Sequence, residues 1–232
     1  MVVGSPTIIL QITLLVSANR GRLYRKIDFL LFLCYLKYTG GVPMKKTKFW
    51  ILISVYLCLA FADGALTYIN TPDLSLEGNP LVAKLGLGWG ALAIANIAVF
   101  ALYFATAYYN YFKYKTVFTN ETTYTRYWSQ ITFDRPDMFW KGCILPPKHW
   151  KPYIAAFGFS ILPAAIIARL ILVLEWLTIT FDIAGSYQYF YFVNTYCFGR
   201  LDVLAAVVVA IAGIFYWFYI EYKKQLICTT AE

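Results

Sequence analysis

Charge is scarce in this sequence: 14% of its 232 residues are Asp, Glu, Lys or Arg, where a soluble domain carries roughly 25%. Histidine is scarcer still. His149 stands alone, so neither a bis-histidine haem nor a multi-histidine metal centre can be built, and a single-ligand site is the most it supplies. The five cysteines, Cys34, Cys58, Cys143, Cys197 and Cys228, are odd in number and include no C-x-x-C pair. They therefore indicate neither a zinc site nor a disulfide framework, and read as small apolar fillers. A Walker loop, a G-x-S-x-G elbow and an H-E-x-x-H helix are also absent. With these missing, no catalytic residue, metal ligand or cofactor is assigned, and the balance leans away from an enzyme.

What the sequence has instead is apolar length. Hydrophobic residues make up 60% and aromatics 19%, and the mean hydropathy is +0.59. A bilayer-crossing helix needs about 20 mostly apolar residues. Four stretches qualify, near 49–69, 89–111, 153–178 and 201–220. The expected fold is all-α: an integral membrane helical bundle of about four transmembrane helices, with a loop over 112–152. The third span contains Pro163, which neighbouring helices can accommodate, together with Arg169 and Glu175.

The net charge of +8 is unevenly placed. Residues 1–48 hold eight bases against Asp28 alone, while the rest of the chain has twelve bases and eleven acids. That excess suits anionic lipid headgroups and gives no nucleic-acid-binding surface. Seven bases lie in the loop between spans two and three, but only Lys84 and only Arg200 in the other two connections. The positive-inside rule then puts both termini and the long loop in the cytoplasm, with the cell inner (plasma) membrane as the expected location. The partners expected are the lipid bilayer and either other membrane proteins or further copies of this chain.

The first 43 residues contain two apolar runs of about half a span each. They read as interfacial helices or as an extension ahead of a natural start at Met44, where "MKKTKFWILISVYLCLA" begins. The same stretch has a second reading, as a signal peptide cleaved after Ala60-Phe61-Ala62. Against cleavage, apolar residues continue through Ala65, Leu66, Tyr68 and Ile69 and complete a span.

The segment "FADGALTYINTPDLSLEGNPL" combines Asp63-x-x-x-Thr67 with Glu77-x-Asn79-Pro80 ten residues later. This pattern resembles an uncharacterised family of small prokaryotic multi-pass membrane proteins, over roughly residues 50–105. The resemblance implies a helix ending near Asp63 and Thr67 and an E-x-N-P approach to the next. It implies no reaction. Asp63-Gly64 also begins like the D-G-x-x-A-R motif of enzymes that join alcohols to CDP-activated lipids. The Ala-Arg pair and the later D-x-x-x-D carboxylates are missing, which excludes that chemistry.

Depth can be counted at about 1.5 Å per helical residue. Asp63 then lies about 21 Å across from the inner end of span one, Arg169 about 24 Å across on span three, and Asn96 about 10 Å below the outer surface on span two. Ionisable groups inside spans are costly and usually pair while facing the bundle. The expectation is an Asp63–Arg169 pair with Thr67 and Asn96 nearby, Glu175 on another face, and Asp202 at the outer start of span four.

Two readings of this layer stay open. One is an outward-facing polar pocket for a cation or small polar solute, with Glu77 and Asn79 at its mouth. The other is an ion pair fixing helix order, with Asn79 and Pro80 acting as a helix start. Three functions follow: a protein that binds or passes a small polar solute or ion, a non-catalytic accessory subunit of a membrane complex, and a lipid-acting enzyme using Asp63 and Glu77. Of the remaining aromatics, His149 is expected at headgroup level with Trp150 and Tyr153, and "SYQYFYFVNTYCF" in an outer aromatic belt. The long loop is expected to lie on the membrane or to bind a cytoplasmic partner.

Overall fold

A computed structural model describes residues 42–74, 85–142, 145–183, 185–197 and 199–229. The N-terminal segment 1–41, Glu77, Asn79 and Pro80 lie outside the described residues. The chain divides into two compact units, Met1–Val42 and Pro43–Glu232, and all described residues but Val42 belong to the second.

Helices carry the described structure. They are α1 (Val42–Asn70), α2 (Trp89–Tyr108), a π-helical turn (Tyr109–Lys113), α3 (Tyr124–Phe133), α4 (Phe139–Gly142), α5 (Trp150–Thr180), α6 (Ser186–Tyr196) and α7 (Leu201–Thr229). No strand occurs among the described residues. Four helices are long and apolar enough to cross a membrane: Lys46–Asn70, Trp89–Lys113, Trp150–Thr180 and Leu201–Ile227. The protein is therefore a helical integral membrane bundle. The spans start where the apolar runs start, but the fourth runs seven residues past its expected end.

α5 is the central helix, lying against α7 and against α2. Small residues explain the closeness. Ala155, Ala156, Gly158, Ser160, Ala164 and Ala165 of α5 are all buried, and with little side chain between them helix backbones can approach and gain packing contacts that lipid tails cannot supply. Gly158 meets the α2 backbone at Thr106, and Gly213 of α7 meets Ser160. Pro163 sits mid-helix in α5 without ending it. Pro removes one main-chain hydrogen bond, a loss that packing from neighbouring helices offsets in membrane spans.

α1 is attached differently, through large side chains. Phe49 is fully buried, with ring centroids of Phe104 at 5.4 Å and Phe112 at 5.1 Å. One further pair of turns along α1, Tyr56 stacks on Phe100 at 5.5 Å. Offset and edge-on aromatic pairs of this kind add about 0.5–1.5 kcal/mol beyond their buried area. The outward faces carry exposed Ile94, Ile97 and Leu102 on α2 and Val208 and Ile211 on α7, as lipid-facing surfaces require.

The long loop folds back as a cap over the end of the bundle where α5 begins and α7 ends. Tyr127, Trp128 and Ile131 of α3 are buried against Ala155, Ala156, Trp217 and Phe218. Tyr153, expected among headgroups, also turns into this cluster, 5.5 Å from the Phe218 ring. The physical reason is helix length. At about 1.5 Å per residue, α5 and α7 run well beyond a hydrocarbon core of about 30 Å, and their protruding turns offer apolar walls that α3 covers. His149 stays exposed and pairs with Asp134 at 3.0 Å, while Trp140 and Trp150 remain exposed.

Segment 114–123 is strapped to α7 by specific hydrogen bonds. Gln225 Oε1 accepts from the Thr119 N–H and hydroxyl, each at 3.0 Å, and Gln225 Nε2 donates to the Glu121 carbonyl. Tyr222 donates to the Thr122 carbonyl. Gln225 is 3% exposed, so its loss strands buried partners at about 1–3 kcal/mol. Gln225→Ala is expected to speed amide hydrogen exchange over residues 115–123 while leaving the spans protected. Unchanged exchange there would show that the strap is held by other contacts.

Candidate functional site

Polar side chains from three spans meet at one level of the bundle, in the half away from the cap. Asp63 arrives on α1 about four turns along from Phe49, Asn96 on the second turn of α2, and Arg169 on α5 after Pro163. Arg169 Nη1 donates to Asp63 Oδ2, and its Nη2 donates to Asn96 Oδ1. Asn96 in turn donates to the Leu92 carbonyl at 2.9 Å. The side chains of Asp63 and Arg169 are 9% and 19% exposed. A guanidinium suits this task because it stays charged and divides fixed donors between two acceptors.

Two residues join the layer that sequence reading did not select. The Trp176 indole is directed at Asp63, and the Tyr56 hydroxyl at Arg169. A signal existed for both. Tyr56 is seven residues before Asp63, and Trp176 seven after Arg169, a spacing that returns a side chain to the same helix face.

Thr67 is buried, but its hydroxyl donates to the Asp63 backbone carbonyl at 2.8 Å. It therefore satisfies its own helix and adds no group to the layer, a common fate of helical Thr. One turn further, Asn70 donates to Thr180 at 2.9 Å and ties the C-terminal ends of α1 and α5. Of the residues selected from sequence, Asp63, Asn96 and Arg169 are thus brought together, and Thr67 sits beside them facing its own backbone. Glu77, Asn79 and Pro80 lie outside the described residues.

A second tier lies toward the end of the bundle opposite the cap. Tyr189 of α6 donates to Glu175 Oε1 at 2.8 Å. Arg200 forms two bonds of 3.1 Å to Asp202, whose side chain is 6% exposed. Asp63, Glu175 and Asp202 are within electrostatic reach of one another, so three carboxylates face two guanidinium groups. By formal charge the acids outnumber the guanidinium groups by one, and Glu175 accepts from the neutral Tyr189 phenol and makes no direct ion pair. Burial, followed by the hydrogen bond and charge of Glu175, raises the Tyr189 phenol above its ordinary value, which keeps it a donor at neutral pH. Among the described residues no three His, Cys, Asp or Glu side chains group closely enough to hold a metal ion.

The arrangement joins helices and is tied through Tyr189 and Glu175 to an aromatic helix, α6, that exposes Tyr191, Phe192 and Tyr196. No family model, curated protein or solved structure matches the chain.

Proposed function

We propose that this protein binds or passes a small polar solute or ion at the outer half of its membrane bundle. The observation that carries the reading is the charge imbalance: Asp63, Glu175 and Asp202 against Arg169 and Arg200. Intramembrane acids are costly and mark solute or proton pathways more often than chance packing. The Asp63–Arg169–Asn96 tie forms the floor of the site, and Glu175 supplies the charge that a positive or cationic polar solute would meet. Because the carboxylates do not converge as metal ligands do, a polyatomic cation fits better than a bare metal ion. Both termini facing the cytoplasm of the inner membrane, from the positive-inside rule, would open this tier to the outside. The resemblance of residues 50–105 to small prokaryotic membrane proteins supports the same location.

The test is thermal unfolding of the full chain in lipid nanodiscs, titrated with sodium, potassium, choline and guanidinium chlorides at constant ionic strength. At least one cation should raise the melting temperature, and Glu175→Gln should abolish that rise while leaving the salt-free protein folded. Equal responses of both proteins to every salt would refute a cation site at this tier.

A second reading, an accessory subunit, draws on α2. Only Leu92 and Ala107 of that span are buried, which leaves a long helix surface for lipid or another membrane protein. A stoichiometric partner recovered at native expression levels would favour this reading.

A further inference from the structure

Trp128 and Trp217 are buried in the cap, but Trp140 is 80% exposed and Trp150 59%. An indole left outside forgoes the burial that so large an apolar ring normally gains. Each of the two stands beside an exposed lysine, Lys141 and Lys151.

The two tryptophan–lysine pairs belong to one piece of structure. Phe139, next to Trp140, packs on the Trp128 ring at 4.5 Å. Tyr153, one turn beyond Trp150, packs on the same ring at 6.3 Å. The Leu145 N–H donates to the Lys141 carbonyl at 2.8 Å, and the His149 N–H to the Thr132 carbonyl at 3.0 Å. Asp134, just past α3, pairs with both Lys148 and His149. α4 and the start of α5 are thus pinned to α3, and Leu145 and Ile154 add exposed apolar surface beside them. Four bases lie between residues 134 and 151 against two acids, Asp134 and Asp137.

We propose that this surface seats on anionic phospholipids of the bilayer that the spans cross, with Trp140 and Trp150 in the interfacial layer and Lys141 and Lys151 at the lipid phosphates. Indoles concentrate at headgroup level, and lysines there lay their apolar stems along the membrane and keep the ammonium at its surface. Helix length agrees. The 31 residues of α5 extend about 45 Å, against about 40–45 Å for a bilayer with its headgroup regions. With Thr180 at one surface, Trp150 therefore reaches the headgroups of the other. A protein partner fits less well, because lysine is depleted in protein interfaces. The surface lies about 28 Å along α5 from Arg169 and does not depend on the solute site proposed above.

The test places the full chain, one copy per nanodisc, in phosphatidylcholine with and without phosphatidylglycerol. Amide hydrogen exchange over residues 139–142 and 145–151 should slow several-fold when the anionic lipid is present. The double variant Lys141→Gln with Lys151→Gln should lose most of that slowing, each lysine contributing about fivefold in affinity for an anionic surface. Trp140→Gln should exchange faster than the parent in both lipids. All three side chains are exposed, so the interior of α5 should stay as protected as in the parent. Equal exchange of the parent in the two lipids would overturn the proposal, as would a lipid response that the lysine variant keeps. Slowing that needs two copies per nanodisc would overturn it in favour of a contact between copies of the chain.

Discussion

Replacing Gly158 by alanine forces α2 and α5 apart and lowers the melting temperature more than any other single methyl addition considered on the spans. A Cβ at position 158 would stand 2.0 Å from the Thr106 carbonyl oxygen, 2.4 Å from its carbon and 2.9 Å from the Ala107 nitrogen. All three are backbone atoms of α2, so no rotamer change can make room. Overpacking of this kind costs typically 1–3 kcal/mol and occasionally more. The separation would also open the neighbouring cluster of Phe49, Ala107 and Leu162, each fully buried.

Two comparisons make the result specific. Gly90→Ala on α2 meets nothing within 4 Å, so helix propensity alone should make it neutral or stabilising by up to about 1 kcal/mol. Gly213→Ala would place its Cβ 2.6 Å from Ser160 Cβ but 3.2 Å from Ser160 Cα. Adding Ser160→Gly removes the nearer atom, and the double variant should recover much of the loss. No second-site change can do this for Gly158. Unfolding curves of the variants in one nanodisc composition decide the matter, and a Gly158→Ala protein that melts with its parent would sink it.

The spans were legible because their signal is summed over about twenty residues each, and the same counting brought Asp63, Asn96 and Arg169 to one depth. Helical rise is regular, so depth survives ignorance of packing. Rotation about the helix axis does not. That is why Thr67, correctly placed in depth, proved to face its own backbone, and why Tyr56 and Trp176 were missed even though heptad spacing marked them. The cap was illegible for a different reason. Its core is assembled from α3, the start of α5 and Trp217 and Phe218 of α7, while Tyr222 and Gln225, which hold the strap, lie past the apolar run that defined span four. The sequence around Tyr127, Trp128 and Ile131 has an apolar face, but only the long protruding helices show what that face covers. Glu221 and Gln225, polar residues at the tail of an apolar helix, are buried, and Gln225 holds the strap.

Removing one member of the Asp63–Arg169 pair is the second large effect. Asp63→Ala leaves a guanidinium with only the neutral Asn96 and Tyr56 oxygens as acceptors, and Arg169→Gln leaves a carboxylate facing Asp202 and Glu175. Breaking a buried pair from one side costs about 3–5 kcal/mol, since the stranded charge keeps its desolvation penalty without its partner. Asn96→Leu removes one hydrogen bond to a charged group, about 1.5–3 kcal/mol, and should fall well short of either charge variant. The double variant Asp63→Asn with Arg169→Gln strands no charge. Two amides can bond each other and Asn96, so it should be more stable than either single change, with a coupling of the sign that a double-mutant cycle reads directly. Span one makes this measurable beyond melting. The Asp63–Arg169 pair joins α1 to α5 together with the Asn70–Thr180 bond, so Asp63→Ala should also speed amide hydrogen exchange along α1. If the singles melt like Asn96→Leu, or the double variant is worse than both, the tie is not what holds α1 in place.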